Sequence, residues 1–209
     1  RARSEVARRP KRQAVLSVGA EMSLWSGVLL NWVIALRSDR PKVAIRAEVD
    51  PADRLLDRVQ NGTLDMAVVY SSQRRPGVES ALVLEEQLVA VSSRARAKLG
   101  VDDYIYVDWG PDFRAQHDQA LPELRNASLV TVLGPLALRY LLKLGGTGYF
   151  RTRAVQPYLA RGALHLVRGA PKFSYSMYVA HSQDSDPSLC AWASERLVGV
   201  ARTPLESWA

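Results

Sequence analysis

Residues 43–70 read VAIRAEVDPADRLLDRVQNGTLDMAVVY, and this stretch decides the fold class. Val43–Val49 alternates apolar and polar residues and predicts a strand, whereas the continuously apolar Met66–Tyr70 predicts a buried strand. Between them, Asp50-Pro51 predicts a helix start, with the aspartate as cap and the proline at the first helical position. Asn61-Gly62 predicts the end of that helix. Strand, helix and strand in this order indicate a parallel βαβ unit.

The residues upstream extend the same alternation. Gln13–Gly19 predicts a short buried strand, and Glu21–Ser38 predicts a helix that ends before Asp39-Arg40-Pro41. With residues 43–70 this gives the order β-α-β-α-β, which is typical of a parallel sheet with crossover helices. In such sheets, ligands bind at the carboxyl ends of the strands.

The residues downstream repeat the alternation and predict a second α/β lobe. Strands are predicted at Ser80–Leu84 and Gln87–Ser92, and the pattern restarts after the charged stretch 94–103. Gly145–Gly148 predicts a backbone bend. The other predicted strands are Tyr104–Val107, Leu129–Leu133, Leu164–Val167 and Ser174–Ala180, and the other predicted helices are 134–144, 154–160 and 187–200, the last capped by Asp186.

The composition excludes several classes of protein. Of 209 residues, 47% are hydrophobic and 23% are charged, so the chain is not disordered, collagen-like or coiled-coil throughout. Its single cysteine, Cys190, excludes an internal disulfide framework and thiolate metal clusters, and it fits the reducing cytoplasm. The longest apolar stretch, Val28–Leu36, is far shorter than the roughly 20 residues that span a bilayer. We therefore expect no membrane partner.

The positive charge is concentrated at the amino terminus. Of the net charge of +7, residues 1–12 carry +5, from six basic residues and one acidic residue, which leaves +2 for the rest of the chain. A basic segment on a nearly neutral body favours a solvated linker over a surface that lies along nucleic acid phosphates.

The residue patterns of common catalytic and metal sites do not occur in the sequence. The three histidines, His117, His165 and His181, are far apart and lack metal-ligand spacing. No serine lies in a G-x-S-x-G sequence, and Gly145–Gly148 lacks the Lys-Ser/Thr of a phosphate-binding loop. We therefore expect neither an enzyme nor a metal site, and no cofactor.

Six local sequences resemble the effector-binding domain of LysR-type transcriptional regulators, and the resemblance runs from about Gln13 to Val200. None of the six is diagnostic alone, but together their order and spacing are much more specific. They are the segments Leu16–Ser23, Arg40–Val43, Gly62–Ala67, Gly146–Phe150, Val155–Leu166 and Gly169–Pro171.

The resemblance implies a fold like that of type 2 periplasmic binding proteins, in which two Rossmann-like α/β lobes are joined by two crossover strands. A small-molecule effector binds between the lobes in such proteins. The expected limits are residues 13–88 plus 181–209 for lobe I and 89–180 for lobe II, with crossover strands at Gln87–Ser92 and Tyr175–His181.

The resemblance also implies a connection to DNA. Such domains normally follow a winged helix-turn-helix and a linker helix, so residues 1–12 are interpreted as the end of that linker. DNA would then be bound only through the winged helix-turn-helix, which this sequence does not contain. The alternative interpretation is a periplasmic solute-binding protein of a transporter, which has the same fold.

The expected ligand-binding residues lie at strand ends and helix starts. Ser23 matches a position where the family often places a hydroxyl, and it is interpreted either as a ligand contact or as a plain helix cap. Ala52 stands where many relatives have Ser or Thr, so an organic acid is only one candidate effector. Arg151 either pairs with an acidic effector or is a solvated surface residue. The candidate ligand-binding residues are Met22, Ser23, Leu24, Asp50, Ala52, Tyr70, Ser71, Val107, Asp108, Trp109, Leu133, Gly134, Gly148, Tyr149 and Phe150.

The first helix predicts an association surface. Ten of the thirteen residues from Leu24 to Leu36 are apolar, which is more than one buried helix face can hold. In the family this helix pairs antiparallel with the last helix of a second subunit. We therefore expect a homodimer through the helix 22–38 and the helix 187–200, with a tetramer as a further assembly of the full-length protein.

Overall fold

In a computed structural model, which describes residues 14–70 and 74–203, the chain forms two β-sheets flanked by helices. The basic segment 1–12 lies outside the described residues. The five-stranded sheet has the order β2-β1-β3-β11-β4, with β1 parallel to β2 and β3, and β11 antiparallel to β3 and β4. Its strands are β1 Val15–Ala20, β2 Ala44–Val49, β3 Met66–Val69, β4 Val78–Leu84 and β11 Met177–Ser182.

The second sheet has the order β10-β5-β8-β6-β7, and β9 pairs with β5 beside this path. Strand β6 is parallel to β7 and β8, and β5 is antiparallel to β8. Its strands are β5 Gln87–Ser92, β6 Tyr104–Val107, β7 Leu129–Thr131, β8 Thr147–Arg151, β9 His165–Leu166 and β10 Phe173–Ser174. The predicted fold class, two α/β lobes, is confirmed, and we call the parts built on the two sheets the first and second lobes.

The chain passes between the sheets twice, at Glu85-Glu86 and at Tyr175-Ser176. The two connections lie side by side, because the backbone N–H of Tyr175 donates to the carbonyl oxygen of Glu86 at 2.8 Å. Strand β5 therefore lies in the second sheet and β11 in the first. The expected domain limits after residues 88 and 180 lie a few residues beyond these passages and stay a prediction.

Helices cover the faces of both sheets. The predicted first helix is divided into α1 and α2 by a wider, π-helical turn at Trp25–Leu29. The cap predicted for the last helix is confirmed, because the Asp186 carboxylate accepts from the backbone N–H groups of Ser188 and Leu189. The helices are α1 Met22–Leu24, α2 Leu30–Asp39, α3 Ala52–Gln60, α4 Pro111–Ala120, α5 Gly134–Leu144, α6 Thr152–Ala160 and α7 Pro187–Arg202.

The start of α3 differs from the prediction. Pro51 has an extended ψ of 150° and is itself the cap, so the helix begins one residue later, at Ala52. No side chain caps this end. The carboxylate of Asp50 instead lies 3.8 Å from the guanidinium of Arg54.

Two elements of the second lobe also differ from the prediction. Gly145 and Gly146 have positive φ angles and form the predicted bend, but Thr147 already begins β8. This strand is buried along its whole length, because it pairs with β5 on one side and with β6 on the other. Helix α4, at Pro111–Ala120, was not predicted.

Close packing fixes the helices on the sheets. A Cβ atom on Gly19 of β1 would lie 2.4 Å from Cδ2 of Leu55, so any side chain there would force the leucine side chain to move. Leu55 is fully buried, which contributes roughly 1.5–3 kcal/mol to stability. Trp32 of α2 is also fully buried and donates its indole N–H to the carbonyl oxygen of Ala193 in α7 at 2.8 Å. Of the helices described, none is both long and apolar enough to cross a membrane.

Candidate functional site

A cavity of about 540 Å³ opens between the lobes, and we call it the interlobe cavity. This volume lies in the range of small-molecule sites. Both lobes line it, so a ligand bound there would contact both lobes at once. The lining residues from the first lobe are Glu21, Met22, Ser23, Val49, Asp50, Pro51, Ala52, Asp53 and Tyr70; those from the second are Asp108, Trp109, Gly110, Pro111, Asp112, Phe113, Arg114, Val132, Leu133 and Ser174; and Tyr175 comes from a connection.

The topology explains why these residues meet. Glu21, Asp50 and Tyr70 directly follow β1, β2 and β3, and Asp108 directly follows β6. Parallel strands end at the same edge of a sheet, and ligands of such sheets bind at that edge. The edges of both sheets face each other across the interlobe cavity, and α1, α3 and α4 begin there.

Three buried aromatic side chains form one wall of the cavity. The rings of Tyr70 and Tyr175 stack with their centroids 4.0 Å apart, and Trp109 meets Tyr175 edge-on at 5.3 Å. The indole N–H of Trp109 donates to the carbonyl oxygen of Tyr149 at 2.9 Å. A Cβ atom on Gly134 would lie 2.3 Å from this indole, so the absence of a side chain there sets the position of Trp109.

Arg151 lies behind this wall and links the lobes. It extends from the end of β8, and its guanidinium donates to the Tyr70 hydroxyl and, at 3.0 Å, to the carbonyl oxygen of Ser23. Only 8% of Arg151 is exposed, and it does not line the interlobe cavity. It is therefore not a solvated surface residue, whereas its interpretation as a partner of an acidic effector stays a prediction.

Two partly or fully buried carboxyl groups accompany this guanidinium. Glu21 accepts from the backbone N–H of Tyr70 at 2.7 Å, and Glu86 accepts from the backbone N–H of Arg153 at 3.2 Å. Burial raises the pKa of both carboxyl groups, and the charge of Arg151 opposes that rise. Burial also raises the pKa of the Tyr70 hydroxyl.

Most of the charged side chains in the cavity are acidic. Asp50, Asp53 and Glu21 line it from the first lobe, and Asp108 and Asp112 from the second. Among the described residues, only Arg114 contributes a guanidinium to the lining; it lies 2.5 Å from the Asp108 carboxylate, and this hydrogen bond raises the pKa of Arg114.

About half of the predicted site residues line the interlobe cavity, and their role as ligand contacts stays a prediction. The lining ones are Met22, Ser23, Asp50, Ala52, Tyr70, Asp108, Trp109 and Leu133. Six others are buried behind the walls, and Ser71 lies outside the described residues. The six are Leu24, Val107, Gly134, Gly148, Tyr149 and Phe150.

Ser23 does not cap its helix, because Glu21 occupies the cap position of α1 without a side-chain hydrogen bond. The interpretation of Ser23 as a plain cap is therefore wrong, whereas its interpretation as a ligand contact stays a prediction. Twelve of the twenty lining residues were not predicted, among them Glu21, Asp53, Asp112, Arg114 and Tyr175. The signals for Glu21 and Tyr175 were the first position of a predicted helix and the first position of a predicted crossover strand.

Within residues 14–70 and 74–203, no three His, Cys, Asp or Glu side chains are grouped so that they could hold a metal ion. The polar groups that the cavity does present are carboxylates, hydroxyls and aromatic rings.

Comparisons with known proteins find relatives among regulators of transcription. The family described as LysR substrate binding domain matches residues 10–201. The transcriptional regulator HdfR from Salmonella schwarzengrund (strain CVM19633) is 28% identical over 189 residues, which cover 88% of this chain and 66% of HdfR. HdfR from Salmonella typhimurium is 27% identical with the same coverage. The chain thus spans just under two thirds of these relatives.

Solved structures share the fold at low sequence identity. The regulatory domain of HypT from Salmonella typhimurium superposes with a TM-score of 0.75 at 13% identity, covering 93% of this chain and 99% of HypT's domain. The reduced regulatory domain of OxyR2 from Vibrio vulnificus gives 0.71 at 15% identity, with the same coverage. Full-length LysG from Corynebacterium glutamicum, with its bound effector Arg, gives 0.69 at 16% identity, covering 90% of this chain and 68% of LysG.

Proposed function

The chain belongs to the family of LysR substrate-binding domains, and from this premise we propose that it is the effector-sensing part of a LysR-type transcriptional regulator. The observation that carries the proposal is the interlobe cavity, which both lobes line and which has the volume of a small-molecule site. A ligand held by both lobes favours the lobe orientation that it binds more tightly, and it shifts the population toward that orientation.

The proposed output is a change in DNA binding, made by a part of the longer protein outside this chain. The relatives are regulators, and this favours the proposal over a solute-binding protein of a transporter. We place the protein in the cytoplasm, where such a regulator meets DNA, and we propose that it binds its effector without chemical turnover.

We also propose that the chain forms a homodimer through its first and last helices. Leu30 and Ile34 lie one turn apart on α2 and are 48% and 53% exposed, and Trp25 is 49% exposed in the preceding turn. A second subunit that covers this face with its α7 would remove the apolar surface from water.

A thermal-shift screen of small metabolites tests effector binding. A compound at about one hundred times its Kd stabilises the chain by about 2.7 kcal/mol, which raises Tm by several degrees for a chain of this size. Leu133→Trp, which places an indole in the interlobe cavity, should abolish the shift. Leu144→Trp is the matched control, because Leu144 is exposed at the opposite end of α5.

Three results would count against the proposal. They are a library in which no compound raises Tm, a shift that Leu133→Trp leaves intact, and chemical turnover of the bound compound. Mass spectrometry of the compound after incubation distinguishes the last from simple binding.

A further inference from the structure

The charge of the residues that line the interlobe cavity limits which effectors can bind there. This inference rests on the proposed function, that the cavity binds an effector. Within the part of the chain that the structure describes, five carboxylates line the cavity against one guanidinium, that of Arg114. They are those of Glu21, Asp50, Asp53, Asp108 and Asp112. A net excess of carboxylates attracts cations and repels anions, more strongly where walls of low dielectric exclude water.

The guanidinium groups near the cavity already have partners, apart from the Nε of Arg151, which is buried and has no hydrogen-bond partner among the described residues. Arg114 forms its ion pair with Asp108, and Arg151 is buried behind the wall, bonded to Tyr70 and to Ser23. Arg54 and Arg75 approach Asp50 and Asp53 at 3.8 Å, but neither lines the cavity. Arg54 is largely exposed, and pairs of this kind contribute little. Among the described lining residues, an anionic ligand therefore meets no uncommitted cation.

The helix starts do not supply an anion site either. The amino termini of α1, α3 and α4 point their partial positive charge toward the cavity edge, where an anion would normally be stabilised. Each has a carboxylate beside it: Glu21 precedes α1, although its side chain accepts from Tyr70 and not from the helix, Asp53 lies in the first turn of α3, and Asp112 lies in the first turn of α4. These carboxylates offset the helix charge before any ligand arrives.

The aromatic wall, like the carboxylates, favours a positively charged ligand. The ring of Tyr70 already stacks on Tyr175 and lies 5.5 Å from the Arg151 guanidinium. Trp109 and Tyr175 contribute π-electron density, which attracts ammonium and guanidinium groups and not carboxylates. We infer that the effector is a small organic cation, an amine or a guanidinium compound, whose charged group lies among the carboxylates and whose carbon skeleton contacts the aromatic wall. The organic acid considered from the sequence fits this lining less well.

Matched compounds that differ only in charge test the inference. The first series is putrescine, 1,4-butanediol and succinate, which share one carbon skeleton; the second is phenethylamine, 2-phenylethanol and phenylacetate; agmatine adds a guanidinium. These are measured by thermal shift and calorimetry together with a metabolite library balanced in the same three charge classes. We expect cavity ligands to be cations, which bind at least about tenfold more tightly than their anionic counterparts.

Charge-removing variants identify the source of the preference. Asp112→Asn and Glu21→Gln, whose amide oxygen can still accept from Tyr70, should each weaken cation binding by about fivefold. Glu123→Gln removes the same charge from an exposed position outside the cavity and should leave binding unchanged.

The outcomes separate the two proposals. Cavity ligands that are anionic or neutral, and that Leu133→Trp excludes, overturn the inference and leave effector sensing intact. Equal binding by Asp112→Asn, Glu21→Gln and the parent chain also overturns it. A library without any cavity ligand overturns effector sensing, and the inference fails with it.

Discussion

At the scale of single residues, Arg151 carries a buried positive charge from the second lobe into the first. Its partners are the Tyr70 hydroxyl and the Ser23 carbonyl, and the carboxyls of Glu21 and Glu86 are close enough for its charge to affect their pKa. Removing one member of a buried charged group leaves the others uncompensated, which is costly.

We therefore expect Arg151→Met to lower the free energy of unfolding by about 3–5 kcal/mol. Urea denaturation followed by circular dichroism measures the loss. Adding Glu86→Gln should recover part of it, because one uncompensated carboxylate is then removed. Arg139→Met, on the exposed face of α5, is the control and should change stability by less than about 0.5 kcal/mol. A loss for Arg151→Met no larger than this control would contradict the role of the buried charge.

The burial of Arg151 could not be predicted from the sequence. Its partners lie 81 and 128 residues away along the chain, so no local pattern connects them. Ser23, Asp108 and Trp109, which were predicted as ligand contacts, do line the cavity, because strand ends and helix starts are local features that the topology brings together.

At the scale of elements, prediction succeeded where the apolar pattern is strong and failed where it is weak. Helix α4 was missed because only Phe113 and His117, four residues apart, are buried on an otherwise polar helix. Strand β8 was missed because its first residues belong to a glycine-rich run that is typical of turns, and two neighbouring strands override that local preference. The strands β3 and β6, by contrast, are short apolar runs bounded by turn residues, and they were predicted.

His117 of helix α4 leads to a prediction of how the free energy of unfolding depends on pH. His117 is fully buried among aromatic rings, and its Nε2 is 2.8 Å from the Tyr104 hydroxyl. Desolvation lowers the pKa of His117, partly opposed by Asp118. The unfolded chain therefore binds a proton near pH 6.5 that the folded chain does not, so this residue's contribution to stability is lost as the pH falls below about 6.5.

Urea unfolding at pH 7.5, 6.5 and 5.5 measures this dependence. We expect the parent chain to lose more stability over this range than His117→Phe, which cannot be protonated at this position. His165→Gln removes a histidine elsewhere and should retain the parent's pH dependence. Parallel curves for the parent and His117→Phe would show that His117 is not the responsible group.

At the scale of the whole molecule, the exposed apolar face of α2 predicts the assembly. An ordinary stable interface buries about 800 Å² per partner, and Leu30, Ile34 and Trp25 would lie inside such an area. Within one chain, α2 already packs on α7 through Trp32, so a second subunit meets the opposite face.

We expect the parent chain to sediment as a dimer at micromolar concentration. Ile34→Glu should sediment as a monomer, because a carboxylate at the centre of an apolar interface is costly to bury. Val130→Glu, which changes an exposed apolar residue of β7 in the second lobe, should stay dimeric. A parent chain that sediments as a monomer, or Ile34→Glu as a dimer, would refute this mode of association.

The position of Tyr175 links the interlobe cavity directly to the connections between the two lobes. This residue belongs to one of the two connections, its N–H is bonded to the other, and its ring stands in the aromatic wall. Under the proposed function, an effector in contact with that ring would act directly on the backbone that joins the two lobes, without a relay through intervening helices.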